Sequence, residues 1–143
     1  MAVCRPFTDS SGTIWRSMKS SKTVLVVDDT ALNLALLTAI LRNSYQVKVA
    51  KSGERALEMV AADPPDLILL DVVMPGLSGL DVLERLQAAP VTRHIPVICI
   101  SALAEERHQA TARSLGAVGY IAKPFEPEGV LAAVGSALSF SAP

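Results

Sequence analysis

Four short, largely apolar runs of this chain each end in a charged or hydroxyl-bearing residue. The runs are 24–27, 67–70, 97–100 and 120–122, and the residues that follow them are Asp28 with Asp29, Asp71, Ser101, and Lys123. Apolar runs separated by helix-like stretches are typical of parallel strands, which are covered on both faces. The carboxyl ends of parallel strands share one edge of the sheet, where ligands bind. The pattern therefore predicts an α/β fold that gathers these polar groups in one pocket.

Five strands alternate with five helices in the predicted domain. The strands are expected at residues 23–27, 46–50, 67–70, 97–100 and 119–122. The helices are expected at residues 30–43, 52–62, 78–88, 104–115 and 127–138, with Thr30, Ser52 and Ser78 as caps. Strict alternation predicts right-handed crossovers and a three-layer αβα sandwich around a five-stranded parallel sheet. In the flavodoxin-like order 2-1-3-4-5, the more polar strand at residues 46–50 lies at an edge.

Length and charge limit the class of protein. The 143 residues fit one domain, expected at residues 22–138, with an N-terminal extension at residues 1–21 and a tail at residues 139–143. A formal charge of −1 gives no basic excess for nucleic acid. Every apolar stretch is far shorter than the ~20 residues of a membrane span. Residues 1–21 lack a secretory signal, and Cys4 and Cys99 do not form a disulfide framework, which together predict a cytoplasmic protein.

The predicted pocket has the chemistry of phosphoryl transfer. Three carboxylates within a few ångströms require a compensating cation, and Mg²⁺ suits such oxygen ligands. The Lys123 ammonium and the Ser101 hydroxyl can hold oxygens of a transferring phosphoryl group. Asp71 is the favoured nucleophile, because Asp28 and Asp29 are adjacent and better placed together as metal ligands. The alternative is that these acids cap helices or face solvent, which is disfavoured when four strand ends carry such groups.

Three stretches carry a family resemblance. They are Val-Leu-Val-Val-Asp-Asp at 24–29, Leu-Leu-Asp-Val-Val-Met-Pro-Gly at 69–76 and Lys-Pro-Phe at 123–125. In this order and spacing they resemble the receiver domains of bacterial two-component response regulators, of the chemotaxis-regulator kind, over about residues 22–138. The resemblance implies a phosphoprotein that accepts a phosphoryl group on Asp71 from a sensor histidine kinase or a histidine phosphotransfer protein.

The resemblance also implies a ligand set. Mg²⁺ would bind Asp29, Asp71 and the backbone carbonyl of Val73, while Asp28 would act through water. Ser101 and Lys123 match the hydroxyl-bearing residue and the lysine of the family.

A conformational switch is a further implication of the resemblance. In the family the hydroxyl at the position of Ser101 moves toward the phosphoryl group, and an aromatic residue, here Tyr120, turns inward. The change would be read on the surface of residues 104–115, 119–122 and 127–138, which is also a candidate homodimer face. Without the resemblance, Tyr120 is equally well explained as a half-buried strand tyrosine. The family also implies a cis Lys123-Pro124 peptide bond.

The residues at two positions near the predicted pocket indicate a long-lived phosphorylated state. Val73 and Leu103 lie two residues after Asp71 and Ser101, where they would flank the path of a hydrolytic water. Both side chains are apolar and cannot orient that water by hydrogen bonding. We therefore expect slow self-dephosphorylation, over minutes to hours.

Other functions fit part of the pattern. A phosphohydrolase of the haloacid-dehalogenase kind also uses Asp, Lys and Mg²⁺, but it needs a second Asp where this chain has Val73. A receiver that acts only as a binding module, without phosphorylation, is a third hypothesis. His94 and His108 lack a second ligand at metal spacing and are expected to be surface histidines. The output, through a downstream protein or a fused output domain, is not encoded in a recognisable motif.

The helix predicted at residues 104–115 is expected to be the loosest part of the domain. A polar run from Glu105 to Gln109 is followed mainly by alanines, which gives this helix little apolar surface to bury. Weakly packed elements are the ones that open or move most easily.

Overall fold

The predicted α/β sandwich is confirmed by a computed structural model, which describes residues 22–141 and the side chains of residues 22–139. The strands are β1 (Thr23–Val27), β2 (Gln46–Ala50), β3 (Leu67–Asp71), β4 (Val97–Ser101) and β5 (Gly119–Ala122). The helices are α1 (Ala31–Leu41), α2 (Gly53–Ala62), α3 (Gly79–Ala88), α4 (Glu106–Ser114) and α5 (Pro127–Ser141). All strands are parallel in the order β2-β1-β3-β4-β5, with the polar β2 at an edge as predicted. The extension expected at residues 1–21 lies outside the described residues.

Two apolar clusters fill the space on the two faces of the sheet. Successive residues of a strand point to opposite faces, so Val24 and Val26 pack with α1 and α5, while Leu25 and Val27 pack with α2 and α3. All five residues of β3 are buried, because this strand lies at the centre of the sheet and is covered on both sides. The sandwich therefore holds its strands rigidly and leaves their carboxyl ends as a fixed platform.

Strand register decides which polar groups meet at that platform. Val27 of β1 pairs with Leu70 of β3, so the next residues along the two strands, Asp28 and Asp71, are neighbours. Ser101 pairs with Ala122 of β5 and accepts a backbone hydrogen bond from the Lys123 N–H at 2.9 Å. Residues up to 95 positions apart in the sequence thus reach one edge.

Two of the three predicted helix caps are confirmed. The Ser52 side chain accepts a hydrogen bond from the Arg55 N–H, and Ser78 forms a reciprocal capping box with Asp81. Thr30 occupies the predicted N-cap position of α1, but its side chain makes no capping hydrogen bond. Its hydroxyl donates instead to the carboxylate of Asp28.

The start of α3 lies unusually close to the end of β3. The Gly79 N–H donates to the Val72 carbonyl at 2.9 Å, and a Cβ on Gly79 would lie only 2.1 Å from the Asp71 carbonyl oxygen. A side chain at position 79 would therefore push α3 away from the strand end. Gly76, with φ +74°, provides the turn between the two elements.

The expectation that the fourth helix is loosely held is confirmed in its burial. α4 is shorter than expected, begins at Glu106, and buries only Ala112. The side chain of Glu105, at the N-cap position, makes no capping hydrogen bond to the helix backbone. At the other end of the domain, α5 continues to Ser141, three residues past the expected end. Within the described residues, no helix is both long and apolar enough to cross a membrane.

Candidate functional site

Three carboxylates meet at the carboxyl edge of the sheet. Asp28, Asp29 and Asp71 each offer an oxygen, and these oxygens all lie within 4.8 Å of one another. Asp28 and Asp71 are 1% and 3% exposed, whereas Asp29 faces solvent. Among the described residues this is the single group of three or more acidic, histidine or cysteine side chains close enough to share a metal ion. The sequence-based expectation of an acidic pocket is therefore met in its geometry.

Lys123 supplies the positive charge of the pocket. Its Nζ lies 3.3 Å from Asp28 Oδ2 and 3.3 Å from Asp71 Oδ1, and its side chain is 22% exposed. Lys123 directly follows β5, and its side chain extends across the ends of the strands to both acids. The peptide bond that joins it to Pro124 is cis, as the family resemblance implies. One ammonium thus faces two buried carboxylates and a third, exposed one.

Asp28 is held by residues that the sequence reasoning did not assign to the site. Its Oδ1 accepts hydrogen bonds from the Thr30 N–H and the Thr30 hydroxyl, both at 2.9 Å. Its Oδ2 accepts from the Asn33 amide at 3.3 Å. An Asp followed two residues later by Thr is typical of an Asx turn, so this spacing was the available signal. Thr30 and Asn33 position Asp28 for the pocket.

Asp71 is the acid of this group whose pKa is raised by its surroundings. Burial raises its pKa above the ordinary 3.8, and the nearby Asp28 raises this pKa further. The Lys123 ammonium and the Val73 N–H, which donates to Asp71 Oδ1 at 3.3 Å, oppose the rise without cancelling it. The ionised carboxylate therefore lacks compensating positive charge, which a bound cation would supply.

Ser101 and Tyr120 are linked through the backbone of Leu103. The Leu103 N–H donates to Ser101 Oγ at 2.9 Å, and the Tyr120 hydroxyl donates to the Leu103 carbonyl. Ser101 is fully buried at the end of β4, and Tyr120 is half-buried against the α2–α3 side of the core. No motif in the sequence indicated that the Leu103 carbonyl would bond to Tyr120.

Two apolar side chains lie at the rim of the pocket. Val73 is 58% exposed and Leu103 is 41% exposed, although both are large and apolar. They follow Asp71 and Ser101 by two residues and carry no group that can bond a water molecule. Their position beside the path of a hydrolytic water and their effect on hydrolysis stay predictions.

The remaining reactive side chains lie away from this pocket. His94 is exposed at the opposite edge of the sheet, and His108 lies 3.6 Å from Glu105 on α4. Burial raises the pKa of the Cys99 thiol to about 12, so the thiol stays protonated and is a poor nucleophile. Neither histidine joins a metal-binding group within residues 22–139.

We expect Asp71→Asn to raise the unfolding temperature of the metal-free protein at neutral pH. Because the pKa of Asp71 is higher in the folded than in the unfolded chain, its ionised form disfavours folding. The stability that protonated Asp71 contributes, relative to its ionised form, is fully present below pH 3.8. It is lost as the pH rises through the pKa that Asp71 has in the folded protein. The gain from an uncharged Asn should therefore shrink on acidification, in thermal unfolding followed by circular dichroism with EDTA.

Asp63→Asn is the matched control, because Asp63 is exposed and forms a surface ion pair with Lys48. Surface pairs contribute about 0–1 kcal/mol, so this variant should be neutral or slightly destabilised. A gain for Asp71→Asn that does not depend on pH would contradict the electrostatic explanation.

Comparisons with known proteins place this geometry in a family. The family model described as response regulator receiver domain matches residues 24–135. The chain is 42% identical over 121 residues to response regulator PleD of Caulobacter vibrioides, covering 84% of this chain and 27% of PleD. It is 37% identical over 105 residues to the polar-differentiation response regulator DivK of Brucella ovis, covering 73% of this chain and 85% of DivK. It thus spans about a quarter of PleD and most of DivK.

A solved structure shows the same architecture. The signal receiver domain of a signal transduction histidine kinase from Syntrophus aciditrophicus superposes with a TM-score of 0.77 at 30% identity. The match covers 84% of this chain and 92% of that one. Fold, pocket and family model agree, and the chain belongs to the response regulator receiver domains, the phosphoacceptor signalling modules of two-component systems.

Proposed function

We propose that Asp71 is the residue that accepts the phosphoryl group in this receiver domain. The observation that carries the proposal is the position of Asp71, which is buried at the end of the central strand with Asp28 and Lys123 beside it. Asp28 is engaged by Thr30 and Asn33, and Asp29 faces solvent. Asp71 therefore combines a fixed position with a carboxylate oxygen that faces the pocket's ammonium.

The reaction is a displacement at phosphorus. A carboxylate oxygen of Asp71 forms the new P–O bond while the bond from phosphorus to the donor breaks. With a phosphohistidine donor the electron pair returns to the imidazole nitrogen, and with acetyl phosphate it leaves on acetate. The Lys123 ammonium, 3.3 Å from Asp71, is placed to hold a phosphoryl oxygen as charge spreads over that group. The Ser101 hydroxyl would donate to another phosphoryl oxygen after turning toward it.

The proposal includes Mg²⁺ as the cofactor. Asp29, Asp71 and the backbone carbonyl of Val73 would hold the ion, with Asp28 acting through water. Three carboxylate oxygens within 4.8 Å, with one ammonium beside them among residues 22–139, fit a hard divalent cation. When bound, Mg²⁺ neutralises part of the negative charge that the carboxylates and the phosphoryl oxygens bring together.

The switch would run through Leu103. In the structure the Leu103 N–H is bonded to Ser101 Oγ, and the Leu103 carbonyl is bonded to the Tyr120 hydroxyl. A Ser101 hydroxyl that turned toward a phosphoryl oxygen would pull on this backbone and release Tyr120 to turn inward. The weakly buried α4 is next along the chain. The proposed readout is therefore the surface of α4, β5 and α5, for a downstream protein, a fused output domain or a second copy.

The partner that delivers the phosphoryl group would dock on α1. Leu32 and Leu36 of this helix are 69% and 46% exposed, while its other leucines are buried. Leu36 also lines a small cavity with Asn33, Lys123 and Phe125 at the mouth of the pocket. Exposed apolar side chains grouped beside a reactive site favour a protein contact. A histidine kinase or histidine phosphotransfer protein docked here would face Asp71.

The chemistry is proposed to be self-directed, without turnover of another substrate. The phosphohydrolase alternative would need an acid two residues after Asp71, and Val73 supplies none. A receiver that acts without phosphorylation would not need Lys123 held between Asp28 and Asp71. The location proposed is the cytoplasm, in agreement with the buried free thiol of Cys99.

Incubation with acetyl phosphate and Mg²⁺ is expected to add one phosphoryl group to the chain and none to Asp71→Asn. The variant lacks the attacking carboxylate oxygen. Intact-mass spectrometry measures the product, and EDTA should abolish it in the unsubstituted protein. In the same phosphorylated sample, the NMR signal of the Leu103 amide should shift, because Ser101 Oγ no longer accepts its hydrogen bond.

Asp63→Asn, which changes an exposed aspartate outside the pocket, should be phosphorylated like the unsubstituted protein. A phosphoryl group that persists in Asp71→Asn would place the acceptor elsewhere. Phosphorylation that leaves the NMR signal of the Leu103 amide unshifted would contradict the proposed switch but not the assignment of Asp71 as the acceptor.

Val73→Asn and Leu103→Glu are expected to accelerate loss of the phosphoryl group from Asp71. Each variant places a hydrogen-bonding side chain at the pocket rim, where it can orient the attacking water. A tenfold faster decay corresponds to about 1.4 kcal/mol of barrier, a modest gain for a positioned group. Decay is followed by intact mass after removal of acetyl phosphate.

Val91→Asn serves as the control, because Val91 is also exposed but precedes β4 at the opposite edge of the sheet. Unchanged decay in both rim variants would show that apolar rim residues do not set the lifetime.

Leu32→Glu is expected to slow phosphotransfer from a protein donor by about tenfold or more, the size of effect found for central contact residues. Its rate with acetyl phosphate should stay the same, since Leu32 does not touch the pocket. The comparison uses a purified histidine kinase that phosphorylates the unsubstituted chain. Val91→Glu controls for the added charge at a similarly exposed valine. Equal slowing with both donors would contradict a docking role.

A further inference from the structure

A second cleft opens at the edge of the sheet opposite Asp71. It has a volume of about 470 Å³ and lies where β4 and β5 begin, against the last turns of α5. The residues that form its floor are Ile95, Pro96, Ile98, Gly119, Ala133 and Ala137. Gly119 and the two alanines leave space that larger side chains would fill. Its size is within the range of ~300–1,000 Å³ typical of ligand pockets, and its lining is mostly apolar.

The cleft continues toward the beginning of the described chain. A neighbouring depression of about 260 Å³ shares His94, Ile95 and Pro96 with the cleft and is also lined by Lys22 and Leu138. Lys22 is the first described residue, and 21 residues precede it in the sequence. An open path therefore leads from the point where this segment joins the domain to the cleft under α5.

We propose that the segment of residues 1–21 docks along this path and places the indole of Trp15 in the cleft. Trp15 precedes Lys22 by seven residues, which can span at most about 25 Å when extended. In the sheet order, β1 is separated from β5 by β3 and β4. Three strand spacings of about 4.8 Å amount to about 14 Å, so the reach is sufficient. The occupant is thus a part of this chain rather than a separate ligand.

The chemistry of the cleft suits an indole. An aromatic side chain buries about 150–250 Å² of surface, and the floor of the cleft offers aliphatic contacts. The exposed Arg93 lines the mouth, and its guanidinium forms no ion pair with any residue from 22 to 139. An arginine without an acidic partner is available to stack on the face of an indole. The exposed hydroxyl of Ser136 can accept a hydrogen bond from the indole N–H.

Docking at this site would tie α5 to the beginning of β4 and β5. Ile98 lies in the floor of the cleft, and Ser101, at the other end of the same strand, belongs to the phosphoryl-accepting pocket. The segment would therefore brace the elements of the proposed readout surface from the side opposite the reaction. This contact goes beyond the proposed function and does not depend on Asp71.

The experiment uses the fluorescence of the full chain. Trp15 is the only tryptophan, so the emission reports on this residue alone. We expect a blue-shifted emission maximum and weak acrylamide quenching compared with the chain unfolded in urea. Ser136→Leu, at an exposed position that lines the cleft, should shift the emission to that of the unfolded chain and increase quenching severalfold. Ala132→Leu, exposed on the same helix but outside the cleft lining, should change neither.

Thermal unfolding gives an independent measurement. Trp15→Ala should lower the unfolding temperature, whereas Phe7→Ala, an aromatic change in the same segment, should not. Emission in the unsubstituted chain equal to that in urea would overturn the proposal, as would blue-shifted emission that Ser136→Leu leaves unchanged. Emission that shifts on dilution would show that Trp15 occupies the cleft of a second copy, which would overturn docking within one chain.

Discussion

A single ammonium group facing two buried carboxylates is the interaction on which the phosphoryl-accepting edge depends. Lys123 lies 3.3 Å from both Asp28 and Asp71, and each acid is almost completely withdrawn from water. Burial of a carboxylate is costly unless it is paired and hydrogen-bonded, and here one positive charge serves two negative ones. Burial, and then the charge of Asp28, raise the pKa of Asp71, and the negative charge that Lys123 leaves uncompensated attracts cations. The proposed reactivity and the proposed metal affinity would both draw on this uncompensated charge.

The hydrogen bonds of the pocket show how its two buried aspartates differ. Asp28 accepts three hydrogen bonds from Thr30 and Asn33, so its position is fixed from the α1 side. Asp71 accepts one long hydrogen bond from the Val73 N–H besides its contact with Lys123. A less satisfied carboxylate is the better candidate for a group that must form a new bond. Of the two buried acids, Asp28 is therefore held in place by hydrogen bonds, and Asp71 is left available for the proposed reaction.

The sequence predicted the elements and the pocket because both follow from local rules. Apolar runs at 67–70 and 97–100 require a covered parallel sheet, and parallel strands bring Asp71 and Ser101 to the same edge. Thr30 was correctly placed at the start of α1, but its hydroxyl donates to Asp28 rather than accepting from the helix backbone, and the sequence did not reveal this orientation of the side chain. The bond from Tyr120 to the Leu103 carbonyl depends on how a loop closes over β4. The conformation of such a loop is not encoded by a periodic sequence pattern, so this hydrogen bond could not be predicted.

Helix α1 shows why the hydrophobicity of an element does not by itself determine its surroundings. A helix that is apolar on all sides is expected to be buried on all sides. In this domain Leu34, Leu37 and Leu41 face the core, yet Leu32 and Leu36 remain exposed beside the pocket. Folding gains little from an exposed leucine, because its apolar surface stays in contact with water. Under the proposed docking, a protein that covers this face when it approaches Asp71 would bury that surface, and binding rather than stability would then account for the excess hydrophobicity of α1.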